Sequence, residues 1–449
     1  MVAGGALPGW AVGMSIFGTF LSSNTFIGVP GQAFGGNWNA FVFSLSLPVA
    51  AFLAARWWIP FYRRHHLEAR FGRWARTYAV ACYLLTQFAR VGSILFGVAL
   101  AMNALTGWPV AWIILSTGVV VTIYTLIGGI EAVIWTDVIQ SVVLTVGALF
   151  VVGLLIVDAP GGLGGLVEAA NSAESSFAFD FTTSTFWVVL IYGLFINFNN
   201  FGIDQSYVQR YHAANSDRAA SRSVWLAAGL YLPVSAVFFF IGTGLFVVFQ
   251  GQPEVAGVAA DQAFPHYIST RLPAGAAGLL IAALFAAAMS SIDTSLNSSA
   301  TVFLSDLYRT YIRPEPDPDG VEAEDLRVLR RATVGVGVLG TSAALLMIGA
   351  GSLLDVWWTW SGVFAGGLLG LFALDRLAPR AGRAAAQLGV AVGVLVIVWM
   401  TASPRLDGGL AMLRNPLHSY MVTVIGTLTI FGVGLLVSRW RRLRGAAIV

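Results

Sequence analysis

The sequence contains no lysine, one cysteine and few charged residues of any kind. Its 25 basic residues are all arginine, and charged residues make up 10% of the chain, against roughly a quarter in soluble proteins. The lone Cys82 excludes an internal disulfide. No segment is typical of a soluble domain, so an enzyme is not predicted. The 57% of residues that are hydrophobic indicate instead an integral membrane protein that contacts the lipid bilayer.

Twelve apolar segments are long enough to cross about 30 Å of hydrocarbon. They cover residues 10–29, 38–57, 77–105, 109–127, 133–157, 186–208, 225–250, 275–308, 328–350, 352–374, 385–402 and 419–438.

The arginines test this count. If the loops alternate between two sides, 21 arginines lie on one side, three on the other, and Arg90 lies inside a segment. The positive-inside rule makes the arginine-rich side cytoplasmic, with both termini on it, and a bacterial inner (plasma) membrane is expected. The arginines do not gather into a nucleic-acid-binding groove. No obligate protein partner is indicated either.

The eighth segment is apolar at first and then becomes polar within its own length. Between Ser290 and Thr301 it carries seven hydroxyl groups, a carboxylate and an amide, which hydrocarbon cannot satisfy. At helical spacing one face holds Ala287, Ser290, Ser291, Thr294, Ser298 and Thr301, with Asp293 and Asn297 beside it. Such an oxygen-lined, negative face favours a hard cation. Close packing of helices through small residues is the alternative.

The first and sixth segments have the composition of discontinuous helices. The first combines Gly18, Gly28 and Pro30 with the polar run 22–25, and the sixth places several amides around Gly202. Secondary transporters bind ions and solutes at such breaks, which occur at corresponding positions of two inverted repeats. The alternative is glycine packing with a proline kink.

Three motifs carry a resemblance to a known family. The sequences GGIEAVIWTDVIQ at 128–140, DQSYVQR at 204–210 and AAAMSSIDTSLNSSATVFLSDLY at 286–308 resemble those of the sodium:solute symporter family. The resemblance implies an all-α, leucine-transporter-like fold with a 5+5 inverted repeat and two further helices, and it covers residues 10–440. The chain lacks the extra helix that usually precedes the first repeat helix in this family.

The resemblance also divides the chain. It implies one transporter domain over residues 1–440 and a cytoplasmic tail over 441–449. Within the domain, the first repeat covers 10–157, the second covers 186–375, and the accessory helices cover 385–438.

Site residues follow from the same resemblance, with Na⁺ as the coupling ion and a small organic molecule as the solute. The principal sodium site would use Gly18, Leu21, Ala287, Ser290 and Ser291. A second sodium site would use Asp137, Ser290, Asp293 and Thr294, although relatives that have this site carry a hydroxyl residue at the position of Asp293. The solute would contact Phe20, Ser22, Asn24, Thr25, Ser44, Arg90, Asn197 and Asn200. Three tryptophans, Trp357, Trp358 and Trp360, would form an outer lid.

Arg90 is expected roughly 20 Å into the membrane, about thirteen residues along the third segment at 1.5 Å each. A guanidinium at that depth needs an anion, either a protein carboxylate such as Asp293 or Asp137 or a carboxylate of the solute. Sialic-acid transporters of the family have an arginine at the matching place, which favours an anionic solute such as a sialic acid or another organic carboxylate. A neutral sugar or an amino acid, with Arg90 in an internal ion pair, is the alternative.

Together these features predict a sodium-coupled symporter that works by alternating access. Two other functions stay open on the sequence. Protons could replace sodium through Asp293 or Asp137, or the protein could sense a solute without transporting it.

Overall fold

A computed structural model describes residues 7–59, 71–126, 130–172, 176–250, 252, 257–314 and 321–446. Within these ranges the chain is almost entirely helical, with one isolated β-bridge between Leu7 and Ala214. The predicted tail 441–449 lies partly outside the described residues, as do the first two residues of the motif at 128–140.

The α-helices are numbered in chain order. They are α1 (Gly9–Phe20), α2 (Val29–Gly35), α3 (Val42–Leu45), α4 (Leu47–Leu53), α5 (Arg73–Thr106), α6 (Val110–Thr125), α7 (Ile130–Asp158), α8 (Gly162–Ser172), α9 (Phe186–Ile203), α10 (Gln205–Ala213), α11 (Asp217–Phe249), α12 (Ala260–Arg271), α13 (Ala274–Val302), α14 (Val321–Leu346), α15 (Leu353–Leu377), α16 (Arg383–Ala402) and α17 (Met421–Ala446). Turns of π-helix at Asn24–Gly28, Ala54–Trp58 and Phe303–Ile312 extend α2, α4 and α13, and 3₁₀ turns occupy Asn39–Phe41, Ser403–Arg405 and Gly408–Leu413.

Each of the twelve predicted apolar segments falls on a helix or on a broken helix. Among the described residues, nine helical stretches are long and apolar enough to cross a membrane, and a bent pair, Gly9–Phe20 with Asn24–Gly35, forms a tenth. The predicted segment 109–127 is the shorter apolar helix α6, of 16 residues. The segment 328–350 belongs to α14, whose first turn carries Glu322 and Glu324.

The first span breaks where its side chains can replace the missing backbone partners. Helix α1 ends at Phe20, and the chain resumes as a helix 55° away. At the break Thr25 Oγ1 donates to the carbonyl oxygen of Phe20 at 2.5 Å, and Ser22 Oγ accepts from the backbone N–H of Asn24 at 3.3 Å. Hydroxyl side chains compete with the helix for backbone groups in this way. The break is therefore satisfied without water.

The sixth span breaks at a single residue. Asp204 has extended backbone angles, φ −65° and ψ 120°, between the end of α9 and the start of α10. Its Oδ1 accepts the backbone N–H of Ser206 at 2.8 Å, which caps α10. Both predicted discontinuities are present.

The two breaks lie in the middle of the bundle. Helix α1 packs on α7 and α11, while α13 packs on α5 and α7. The last two helices, α16 and α17, pack on each other, and α17 also packs on α15. The buried apolar cluster runs through all seventeen helices, and a smaller cluster joins α15, α16 and α17.

The segment that connects the predicted spans 133–157 and 186–208 contains the eleven-residue helix α8. Its glycines lie mainly in the first turn, and Leu166 is fully buried, so packing of one apolar face outweighs the weak helix propensity of the segment.

Close packing of α11 on α2 generates a prediction. A Cβ at Gly242 would lie 2.3 Å from the carbonyl oxygen of Pro30, whereas a Cβ at Gly229 of the same helix has nothing within 4 Å. Gly242→Ala should lower the free energy of unfolding by about 1–3 kcal/mol through overpacking. Gly229→Ala should raise it by about 0.5–1 kcal/mol through helix propensity. Thermal unfolding of both purified variants in detergent checks this, and equal shifts would contradict the packing.

Candidate functional site

A polar cavity lies at the two breaks. This central cavity, about 80 Å³, is enclosed by the first span and by α3, α5, α9, α10, α11, α13 and α15. It is too small for an organic solute of sugar size, since such sites usually exceed about 300 Å³. A solute of that size therefore requires the cavity to widen.

Seven of the eight residues predicted to contact the solute line the central cavity. They are Phe20, Ser22, Asn24, Thr25, Ser44, Arg90 and Asn200. Asn197 does not line it: this residue is fully buried, and its Nδ2 donates to Ser46 Oγ at 2.8 Å. Asn197 therefore tethers α9 to the second span.

The sequence reading missed several lining residues. They include Tyr207, Tyr231, Ser235 and Ser361. Tyr231 and Ser235 are four residues apart on α11, so they share one face, and Ser235 Oγ lies 2.7 Å from Ser44 Oγ. Their spacing was a usable signal, but two polar residues in a long apolar helix do not stand out without the contact across to Ser44.

The predicted lid tryptophans occupy one wall rather than forming a separate layer. Trp357 and Trp358 line the central cavity. The guanidinium of Arg90 lies 5.7 Å from the centroid of a Trp357 ring, within range of a cation–π interaction. Trp358 stacks on Phe43 at 5.0 Å. Trp360 is not part of the lining.

Arg90 is held by a protein anion that the sequence reading did not identify. Its Nη2 donates to Asp204 Oδ2 at 2.9 Å, so the expectation that Asp293 or Asp137 would be the internal partner is wrong. The reason is geometric, because Asp204 stands at the break of the sixth span. Arg90 Nη1 is buried and has no hydrogen-bond partner among the described residues.

The five residues of the predicted principal sodium site lie on two helices that contact each other, α1 and α13. Gly18 and Leu21 stand at the end of α1, where the backbone angles of Leu21 leave the helical region. Ala287, Ser290 and Ser291 are buried on α13. Ser291 Oγ has no partner among the described residues and faces the central cavity.

Two of the four residues of the predicted second sodium site, Asp137 and Thr294, contact a guanidinium. Arg210, which follows the predicted sixth segment 186–208, is buried on α10. Its Nη2 donates to Asp137 Oδ2 at 3.0 Å and to Thr294 Oγ1 at 3.2 Å. Ser15 Oγ completes this cluster with a 2.5 Å hydrogen bond to Asp137. The arginine neutralises Asp137 from a position between the carboxylate and Thr294.

Asp293 has different surroundings. It accepts a short hydrogen bond from Thr125 Oγ1 of α6, and it is about nine-tenths buried. Among the described residues, no basic side chain lies within ion-pair distance of its carboxylate. The hydroxyls of Ser290 and Thr294 flank it along α13.

On the side away from the arginine-rich loops, polar contacts hold α2, α12 and α15 together. Gln32 Nε2 donates to Ser352 Oγ at 2.8 Å and to Asp355 at 3.2 Å. Asp261 Oδ2 accepts the backbone N–H of Leu353 at 2.6 Å. Burial raises the pKa of Asp261 to about 6, although the Leu353 N–H opposes this rise. The Asp261 carboxylate therefore takes up a proton and loses its charge in mildly acidic medium.

These features define a class of protein. A multi-pass helical bundle with two broken spans around a closed polar cavity is a membrane transporter of the inverted-repeat type. Comparison with known proteins identifies the family: the model of the sodium:solute symporter family matches residues 1–393. The chain belongs to this family.

Its relatives include two bacterial symporters. The sodium/sialic acid symporter SiaT of Proteus mirabilis is 34% identical over 395 residues, covering 84% of this chain and 79% of the relative. The sodium/sialic acid symporter NanT of Aliivibrio fischeri is 33% identical, covering 84% and 77%. The rabbit sodium-dependent multivitamin transporter is 31% identical, and the match covers 84% of this chain and 60% of that protein.

Solved structures agree with the predicted fold. A Na⁺-coupled sialic acid symporter in a substrate-bound, outward-open state aligns with a TM-score of 0.86 at 30% identity, covering 97% of this chain and 91% of that one. The transporter Mhp1 in a closed conformation aligns at 0.59 and 16% identity, covering 98% and 93%, which supports the fold alone. The leucine-transporter-like fold class predicted from the sequence is confirmed.

The cluster around Arg210 generates a second prediction. Arg210→Met leaves Asp137 buried without its cation, so the free energy of unfolding should fall by about 3–5 kcal/mol. Combining it with Asp137→Asn removes both charges and should restore most of that loss. Arg414→Met, which breaks an exposed pair with Asp407, should cost at most about 1 kcal/mol. Denaturant unfolding of the four proteins, wild type included, measures these values. A double variant as unstable as Arg210→Met would refute the ion-pair explanation.

Proposed function

We propose that this protein is a sodium-coupled symporter that imports an anionic organic solute of the sialic-acid class by alternating access. The observation that carries the proposal is Arg90 in the wall of the central cavity, with its guanidinium nitrogen Nη1 lacking a hydrogen-bond partner among the described residues. A carboxylate satisfies such a group, because it accepts a charge-assisted hydrogen bond from the guanidinium. The 34% and 33% identical relatives are sodium/sialic acid symporters, which supports the same solute class here.

The proposed principal sodium ion lies between the end of α1 and the middle of α13. Its ligands are the carbonyl oxygens of Gly18, Leu21 and Ala287 and the hydroxyls of Ser290 and Ser291. This set contains only oxygen, which suits a hard cation. The site joins two elements, so separation of α1 from α13 in the inward-open state weakens it and releases the ion. Sodium and solute are then coupled because both favour the closed state.

A second sodium ion is proposed at Ser290, Asp293, Thr294 and Asp137. Asp293 supports it, because a buried carboxylate without a basic neighbour is costly unless a cation or a proton accompanies it. The ion pair between Asp137 and Arg210 limits it, since Arg210 already supplies positive charge at that carboxylate.

The orientation and the domain limits are proposals of the same kind. The arginine distribution supports cytoplasmic termini in an inner membrane. The positions of the two breaks support inverted repeats over residues 10–157 and 186–375, with accessory helices over 385–438 and a tail over 441–449.

Two alternatives each have one observation in their favour. A neutral solute is consistent with the Arg90–Asp204 ion pair, which already neutralises the arginine. Proton coupling is consistent with Asp293, whose only hydrogen-bond donors in the described structure are neutral side chains.

Uptake into proteoliposomes decides between these functions. Purified protein should accumulate radiolabelled sialic acid under an inward sodium gradient and not under a proton gradient alone. Accumulation under the proton gradient would favour proton coupling. Sodium-dependent uptake of a neutral sugar in place of sialic acid would favour a neutral solute. Binding without any uptake would identify a sensor.

The sodium ligands generate a third prediction. Ser290→Ala and Ser291→Ala each remove one of about five oxygen ligands, at a cost of roughly 1–3 kcal/mol. Half-maximal uptake should therefore need about tenfold more sodium or more. Ser342→Ala, which removes an exposed hydroxyl of α14 that bonds only its own helix, should leave the sodium dependence unchanged. Normal sodium dependence in both site variants would reject the assignment.

Arg90 generates a fourth prediction. Arg90→Lys keeps the charge but loses the planar fork, so affinity for sialic acid should fall about tenfold or more. Sodium binding without solute should stay near the wild-type value. The matched control is Arg313→Lys in the surface ion pair with Glu324, which should bind solute normally. A folding defect in Arg90→Lys with unchanged solute affinity would assign Arg90 to the scaffold.

A further inference from the structure

A second cavity of about 270 Å³ opens at the ends of α5 and α15 that carry Arg76 and Asp375. Ile203, Gln205 and Tyr83 form its inner end. Ile203 and Gln205 are the two neighbours of Asp204, whereas Arg90 lines the central cavity. The Arg90–Asp204 ion pair therefore stands between the two cavities.

The two carboxylate oxygens of Asp204 make different contacts. Oδ1 caps α10 through the backbone N–H of Ser206, and Oδ2 accepts from Arg90 at 2.9 Å. The residue is 4% exposed. A single side chain thus fixes the start of α10 and ties it to α5.

Neighbouring hydroxyls extend this contact to the helix of the proposed sodium site. Ser206 Oγ lies 3.5 Å from Ser298 Oγ of α13, and the hydroxyl of Tyr83 donates to Ser298 Oγ at 2.7 Å. Tyr83 also lines the second cavity. Movement of α10 at Asp204 therefore disturbs contacts of both α5 and α13.

We propose that the Arg90–Asp204 ion pair is the gate between the central cavity and the second cavity, and that a solute carboxylate unlocks it. This inference rests on the proposed function for the solute's charge. Arg90 Nη2 is bound to Asp204, and Nη1 is left for the solute. When the carboxylates of Asp204 and of the solute both bind the Arg90 guanidinium, each weakens the interaction of the other with Arg90, because like charges repel across a buried site. Solute binding thereby loosens α10 and favours opening toward the second cavity.

Asp204→Asn separates this role from a structural one. Asparagine caps helices as well as aspartate, so α10 keeps its start, but the ion pair with Arg90 is lost. Asp180→Asn is the matched control, because Asp180 also accepts the backbone N–H two residues along, at Thr182, and lies far from Arg90 in an exposed loop.

The first measurement needs no solute. Ser235→Cys, in a Cys82→Ser background, places a thiol in the central cavity, and a membrane-impermeant maleimide is added from the arginine-rich side of oriented vesicles. Adding Asp204→Asn should increase the labelling rate about tenfold, the size of a typical coupling between sites. Adding Asp180→Asn should leave it unchanged. Ala79→Cys, in the second cavity, should be labelled equally in every background.

The second measurement compares sialic acid with its uncharged methyl ester in a binding assay at saturating sodium. Asp204→Asn should bind sialic acid about fivefold to tenfold more tightly, because the competing carboxylate is gone, and should bind the ester as wild type does. Its maximal uptake rate should fall, because the gate no longer responds to the solute.

Unchanged labelling in Asp204→Asn, or weaker binding of sialic acid, would overturn the proposal. If Asp204→Asn folds poorly, Arg90→Met/Asp204→Asn removes both charges, and its labelling should rise as well; unchanged labelling there also overturns the gate. Failure of the proposed function has a different signature, namely wild-type protein without sodium-driven uptake of sialic acid, and it leaves the labelling result valid.

Discussion

Hydrocarbon cannot satisfy polar groups, and the centre of this protein depends on how its own side chains do so. Two spans are interrupted, which frees backbone groups that a bilayer offers no water to bind. Thr25 and Ser22 satisfy the first break, and Asp204 satisfies the second. Because these side chains replace some of the lost backbone partners, both breaks are stabilised within the protein. Residues of both breaks also line or adjoin the central cavity.

Burial also requires every charge to have a partner, and this requirement singles out α10. The helix begins at Asp204, which pairs with Arg90 of α5, and it carries Arg210, which pairs with Asp137 of α7 and also bonds Ser15 of α1 and Thr294 of α13. Four surrounding helices are therefore connected through charged groups to α10 and its N-cap residue Asp204. A transport movement that displaces α10 breaks the ion pairs of Asp204 and Arg210. Both residues must then find new partners, since an unpaired buried ion costs several kcal/mol.

The sequence was sufficient for those features that depend on local pattern. Apolar length located the spans, and glycines, prolines and polar runs located both breaks. Most of the cavity lining followed from the family resemblance, whereas polarity alone indicated only that the polar residues inside apolar spans must face protein or water. Pairing across long separations was not predictable. Arg210 comes shortly after the predicted sixth span, in a polar segment that is typical of a loop. Nothing local therefore indicates that Arg210 is buried against Asp137, 73 residues away. Asp204 was noted as polar but not as the partner of Arg90, because the direction of its side chain depends on how α5 passes the break.

The charges of the centre constrain what can be carried. Arg90 with Asp204 and Arg210 with Asp137 are each neutral as pairs, which leaves Asp293 as the carboxylate without a basic partner among the described residues. If Asp293 is ionised, the empty centre carries one negative charge. One sodium ion neutralises this charge. Binding of an anionic solute then makes the centre negative again. A loaded centre that is neutral overall therefore requires a second cation for an anionic solute but only one for a zwitterion or a neutral sugar. If Asp293 is protonated, one sodium ion and one anionic solute already balance. The protonation state of this single side chain thus links the charge of the solute to the number of cations moved with it, because uncompensated charge is costly in a closed, low-dielectric cavity.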